Sequence, residues 1–166
     1  MKTDFTIHNL QFQGIFPRGI LHDLLKIEDE KFNVDKLEFH GNVSYMKGAI
    51  VASDFITTVS ATYKEEIQTA YYGERLDGLL RARESSLVGI LNGIDDTLYN
   101  PETDKEIDEQ YTVETLGKKA INKAALQSAF GLPIEEEIPV ISMVTRLTKQ
   151  KGFDLVKRVL EEVLSN

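Results

Sequence analysis

Residues 139–152 constrain this chain most. They open as Pro139-Val140-Ile141-Ser142-Met143-Val144, an apolar, β-branched run bounded by a proline and a polar turn, and that composition predicts a buried strand. They continue as Thr145-Arg146-Leu147-Thr148-Lys149-Gln150-Lys151-Gly152, with no acid anywhere between Pro139 and Phe153. Beyond Gly152, residues Val156, Val159, Leu160, Val163 and Leu164 recur at helical spacing and form one apolar stripe. The unit therefore reads as strand, basic turn, helix. Arg146, Lys149 and Lys151 stand just ahead of a helix N-terminus, where the macrodipole already places about half a positive charge. That arrangement repels itself without an anion. A helix N-terminus at the carboxyl end of a parallel strand is also where open α/β sheets take ligands and where phosphates meet free backbone N–H groups. A phosphate or diphosphate is thus the first candidate ligand, and a solvated basic turn is the plainer alternative.

Composition narrows the partners. The 166 residues have the length of one domain, with 42 % hydrophobic and 28 % charged content, as in an ordinary globular protein. A formal charge of −8 argues against nucleic acid, because phosphate contacts need a basic face. The absence of cysteine excludes disulfides and thiolate chemistry and fits a reducing cytoplasm. No apolar run approaches 18 residues, so nothing points to a membrane. The first strand begins at once and the chain stops just after a helix, which suggests a piece of a longer protein.

In chain order, residues 2–7 predict a strand whose carboxyl end runs into His8-Asn9-Leu10-Gln11-Phe12-Gln13-Gly14. Catalytic side chains of α/β sheets occupy such loops, which makes His8 and Asn9 candidates. The alternative is a polar pair that caps the strand. His22 and His40 have no partner at metal-ligand spacing. Residues 41–52 read as a helix and residues 55–59 as a strand, and Ser60 is placed as the N-cap of a helix running to Thr69. Residues 76–83 read as a short helix and residues 87–91 as a third strand, ending in the turn signal Asn92-Gly93. Alternating strands and helices predict a parallel, doubly wound sheet. Between Asp95 and Glu114 eight acids face a single base, Lys105, which marks a linker or a solvated face rather than a metal site. Helical character resumes over residues 112–130, and Gly131 with Pro133 stops it.

Three stretches together carry a family resemblance: residues 8–14, Leu91-Asn92-Gly93-Ile94-Asp95, and residues 145–152. In this order and at about this separation they resemble the central part of bacterial glycogen synthases and plant starch synthases. Residues 37–44 and 56–60 are similar to that family as well. The resemblance implies an α/β fold with the Rossmann-like parallel sheets of a two-domain GT-B glycosyltransferase, both domains incomplete. It would make residues 1–91 the later half of the acceptor-side domain, 92–111 the junction, and 112–166 the start of the donor-side domain.

The activity it implies is retaining transfer of glucose from ADP-glucose to the non-reducing end of an α-1,4-glucan, with no cofactor and no metal. By this resemblance His8, Arg146 and Lys151 are catalytic. Arg146 and Lys151 would hold the donor diphosphate and His8 would lie beside the transferred glucose. Asn9, Gln13, Gly14 and Asn92 would complete the substrate contacts. Partners would be the nucleotide sugar and the glucan, with no nucleic acid and no membrane. The departures are equally specific. The family's glycine-rich, lysine-containing loop and its glutamate-bearing loop are not in this sequence, Phe12 stands where tyrosine is common, and Ala61 stands where Ser-Pro is usual. The piece alone is therefore expected to be inactive and to self-associate. Two rival readings are a non-enzymatic anion- or sugar-binding α/β module and a relative that uses UDP-glucose.

Overall fold

The computed structural model describes residues 1–165; Asn166 and the side chain of Lys149, one of the three cations of the basic turn, lie outside the described residues. The chain divides into two compact units, Met1–Ile94 and Asp95–Asn166.

The first unit is built on β1 (Asp4–Ile7), β2 (Ile15–Phe16), β3 (Glu38–Phe39), β4 (Asn42–Ser44), α1 (Tyr45–Ala52), β5 (Phe55–Thr58), α2 (Ala61–Glu66), α3 (Asp77–Ala82) and β6 (Leu87–Gly89). Strands β1, β5 and β6 form a parallel sheet in that order, with Ile7 opposite Thr58 and Ile56 opposite Leu87. The predicted α/β class with a parallel sheet is thus what this unit adopts. Parallel strands need helical crossovers that cover the sheet faces. Helix α1 supplies one: Met46 and Ile50, four residues apart, are its buried positions. They join Ile7, Leu10, Ile56, Ile67, Leu76, Leu80 and Leu87 in one core.

Residues 41–52 are not all helical. His40 and Gly41 both take left-handed backbone, with φ of 50° and 83°, and so make the two-residue turn that suits a right-twisted hairpin. Asn42 and Val43 then pair antiparallel with Phe39 and Glu38, and β2 adds to the other edge of β4. The helix starts only at Tyr45, where the Ser44 hydroxyl accepts from the Lys47 N–H at 3.1 Å. Ser60 caps α2 as predicted, accepting from the Tyr63 N–H at 2.8 Å, but the regular helix ends at Glu66 rather than Thr69.

In the second unit the regular elements are α4 (Lys119–Ala129) and α5 (Phe153–Ser165). Asn122 on α4 grips the Glu109 peptide from both sides, accepting from its N–H at 2.8 Å and donating to its carbonyl at 2.7 Å. Lys118 adds an ion pair to the Glu109 carboxylate at 2.7 Å. The helix stops at Gly131, whose φ of 65° lets the Leu132 N–H return to the Gln127 carbonyl at 2.9 Å. The strand predicted for residues 139–144 does not form. A strand needs a partner for its N–H and C=O groups, and among the described residues of this unit no strand offers one. Ile141 is accordingly 77 % exposed and Val144 98 %, so the expected second parallel sheet is not present within the described residues.

Candidate functional site

The carboxyl edge of the parallel sheet gathers one set of candidates. His8 follows β1 directly and is exposed. The peptide before it is pinned, because the buried Thr58 hydroxyl donates to the Ile7 carbonyl at 2.8 Å. Asn9 forms a local turn: its side-chain oxygen accepts from the Gln11 N–H at 3.0 Å, and its carbonyl accepts from Phe12 at 3.3 Å. The Leu10 side chain is fully buried and its N–H donates to the Tyr63 hydroxyl at 3.1 Å. The imidazole of His8 thus projects from a loop whose flanks are fixed by α2 and β5.

Gln13 and Gly14 lie at the other end of this loop. Gln13 is 6 % exposed and donates from Nε2 to the Glu74 carbonyl at 2.8 Å. Gly14 has φ of 62°, and a Cβ there would sit 3.3 Å from Tyr45 Cβ. Its carbonyl accepts from the Tyr45 N–H at 3.1 Å, while the Gln13 carbonyl accepts from Met46 at 3.0 Å. These two carbonyls and the Ser44 hydroxyl occupy the first N–H groups of α1. Asn92 follows β6 and is exposed. Strand β6 lies two strands from β1 in the parallel sheet, about 10 Å at the usual strand spacing. His8, Asn9, Gln13, Gly14 and Asn92 therefore all belong to the first unit and to loops that leave, or pack against, the carboxyl edge of one sheet. That is the edge at which open α/β sheets hold ligands.

Arg146 and Lys151 belong to the second unit, and both are exposed. The Thr148 N–H bonds to the Arg146 carbonyl at 2.8 Å and the Lys151 N–H to the Thr148 carbonyl at 3.0 Å, which draws residues 146–151 into a tight turn. Gly152, with φ of 71°, redirects the chain, and α5 starts at Phe153. The Leu155 and Val156 N–H groups return to the Gly152 carbonyl, both at 3.0 Å. The basic turn thus meets a helix N-terminus as predicted, although no strand leads into it.

Sequence reasoning did not single out the residues that hold the first loop. Tyr63, Thr58 and the Glu74 carbonyl act through contacts that span 51 to 61 positions. Only the cap at Ser60, three residues before Tyr63, carried a local signal. A hollow of about 430 Å³ in the same unit is lined by Phe39, His40, Lys47, Arg75 and Leu76, and Lys47 is committed there to the carbonyls of Val34 and Glu38, both at 2.6 Å. His22 lies 3.4 Å from Asp29, whose carboxyl is held below the usual range first by its hydrogen bond from Arg18. Among the described residues no group of three or more histidines and acids is arranged to hold a metal ion, and no helix is long and apolar enough to cross a membrane.

Comparison with known proteins adds independent findings. Residues 1–82 match the family model described as the starch synthase catalytic domain. The chain is 66 % identical over 165 residues to a glycogen synthase of Anoxybacillus flavithermus, covering 99 % of this chain and 34 % of that protein. It is 60 % identical over 164 residues to a glycogen synthase of Bacillus cytotoxicus, with the same coverage of both. A solved structure of the catalytic domain of starch synthase IV from Arabidopsis thaliana, bound to ADP and acarbose, is similar with a TM-score of 0.90 and 33 % identity, covering 99 % of this chain and 34 % of that one. The chain spans about a third of the length of the relatives it matches.

Proposed function

We propose, from the premise that this chain belongs to the glycogen synthase and starch synthase family of GT-B glycosyltransferases, that it is the central part of an enzyme that extends an α-1,4-glucan. The donor is ADP-glucose, and glucose passes to the non-reducing end of the glucan with retention of configuration. The observation that carries this reading is that one chain, 66 % identical to a glycogen synthase, holds both a histidine loop at the carboxyl edge of a parallel sheet and a basic turn at a helix start.

The chemistry follows from the residues. Cleaving the bond between glucose and a nucleoside diphosphate leaves growing negative charge on phosphate oxygens. Arg146 and Lys151 stabilise that charge more in the transition state than in the ground state, which is the condition for raising kcat. Arg146 can bind two oxygens in a fork and Lys151 acts as a point charge. His8 and Asn9 offer hydrogen bonds to sugar hydroxyls as the ring gains oxocarbenium character, and Asn92 and Gly14 shape the same edge. A cytoplasmic setting goes with this proposal.

The test uses the full chain to which this segment belongs, supplied with ADP-glucose or UDP-glucose and a short maltooligosaccharide. Incorporation from ADP-glucose is expected, with Arg146→Ala and Lys151→Ala each lowering kcat/KM by about 10²- to 10³-fold. Preferential use of UDP-glucose would overturn the donor assignment. Phosphate binding at these two residues with no glucosyl transfer would leave an anion-binding module in its place. The 166-residue chain by itself is expected to be inactive and, with Val159 and Val163 of α5 about half exposed, to self-associate. Light scattering that finds only monomer would refute the latter.

A further inference from the structure

One side chain ties the candidate histidine loop to a strained turn. Gln13 donates through Nε2 to the Glu74 carbonyl across 61 positions, while its Oε1 is buried without a hydrogen-bond partner among the described residues. The accepting turn is held against its own preference. Glu74 and Arg75 are both left-handed, with φ of 47° and 67°, a conformation that residues with a Cβ adopt only at a cost. Gly73 before them is closed in, and a Cβ there would lie 2.6 Å from the Thr69 carbonyl oxygen and 2.8 Å from that of Ile67. The Leu76 N–H returns to the Gly73 carbonyl at 2.7 Å. Consecutive left-handed residues of this kind persist where surrounding contacts over-determine them, and Gln13 is one such contact.

Gln13 is also fixed from its backbone, because its carbonyl and that of Gly14 hold the first N–H groups of α1. It is therefore anchored at both ends, five positions from His8. The carboxamide cannot turn over, since that would set its oxygen against the Glu74 carbonyl oxygen. A hydrocarbon of the same size would drop the bond, and a carboxylate would repel the carbonyl. These properties describe a brace rather than a ligand contact.

We propose that Gln13 is a positioning residue that braces the loop of residues 8–14 on the turn of residues 73–76 and thereby sets His8 and Asn9 for glucosyl transfer. The inference rests on the function proposed above. It moves Gln13 from the set of substrate contacts to the layer behind them.

The test compares Gln13→Leu and Gln13→Glu in the full chain. Gln13→Leu is expected to lower kcat about tenfold, to leave KM for ADP-glucose within about twofold, and to speed amide exchange over residues 9–14 and 73–76 together. Gln13→Glu is expected to regain activity as pH falls. Burial and the facing carbonyl oxygen raise the carboxyl pKa, and only the protonated form can donate to Glu74. The parent enzyme would show no such recovery. A rise in KM with unchanged exchange would make Gln13 a ligand contact. Faster exchange with unchanged kcat and KM would make it a structural tie alone. Either result overturns the proposal. If the parent chain transfers no glucose, the functional reading fails, and amide exchange in Gln13→Leu still decides whether the brace exists.

Discussion

Leu10 and Tyr63 are joined across 53 positions: the Leu10 backbone N–H donates to the Tyr63 hydroxyl at 3.1 Å. The bond fixes the middle of the loop that carries His8 to α2. Tyr63→Phe keeps the ring and removes the acceptor. The variant is expected to lose about 1 kcal/mol of stability, seen as a lower denaturation midpoint, with faster amide exchange at Leu10. Unchanged exchange at Leu10 would show that the bond does not form in solution.

Gly89 ends β6 directly against the start of α2. A Cβ there would lie 2.6 Å from the Ser60 carbonyl carbon and 2.7 Å from the Ala61 Cα, and it would also meet the Ser60 carbonyl oxygen. All three are backbone atoms, which cannot swing aside as a flexible side chain can. Gly89→Ala should therefore destabilise the fold by about 3 kcal/mol, measured by thermal or urea unfolding. A loss below about 1 kcal/mol would mean that strand and helix can separate more easily than their packing implies.

The opposite sign is expected at Arg75, whose φ is 67°. Glycine adopts this conformation without penalty, although it also gives the unfolded chain more freedom. Arg75→Gly should raise stability by about 0.5 to 1 kcal/mol. A destabilised variant would show that the Arg75 side chain makes a favourable contact in the hollow it lines.

Asp29 provides a pH-dependent case. Its carboxyl is held below the ordinary range, first by the hydrogen bond from Arg18 and next by the Arg18 charge. A depressed folded-state pKa means that the contribution is present above the ordinary carboxylate value and fades as pH falls through the lower, folded one. The group is exposed, so the effect on stability is small. It is read directly by following the Asp29 carboxyl carbon by NMR. Arg18→Ala should move its midpoint up, and an unmoved midpoint would exclude Arg18 as the cause.

The legible parts of this fold were those with local causes. Strands β1, β5 and β6 show as short apolar or β-branched runs that alternate with helical patterns, and Ser60 shows as a cap because its hydroxyl reaches an N–H only three residues away. Strands β3 and β4 were missed because two or three residues carry no periodicity; the left-handed pair His40 and Gly41 makes that hairpin. Residues 139–144 misled in the other direction, since a β-branched run states a preference while a strand requires a partner. At the site, His8, Asn9 and the basic turn could be placed from the chain order of elements. The buried state of Gln13 could not, because the carbonyl it serves lies 61 positions away.

The same separations govern when the loop can form. Its contacts come from Tyr45 and Met46, then Tyr63, and finally Glu74. Closing such distant contacts is slow relative to local structure, because chain entropy is lost before the contact is made. During synthesis, Gln13 leaves the ribosome 61 positions ahead of Glu74 and then waits for that partner to follow. The histidine loop is thus among the last parts of that unit to settle, and a stall before residue 74 would release a chain with its sheet begun and His8 unplaced.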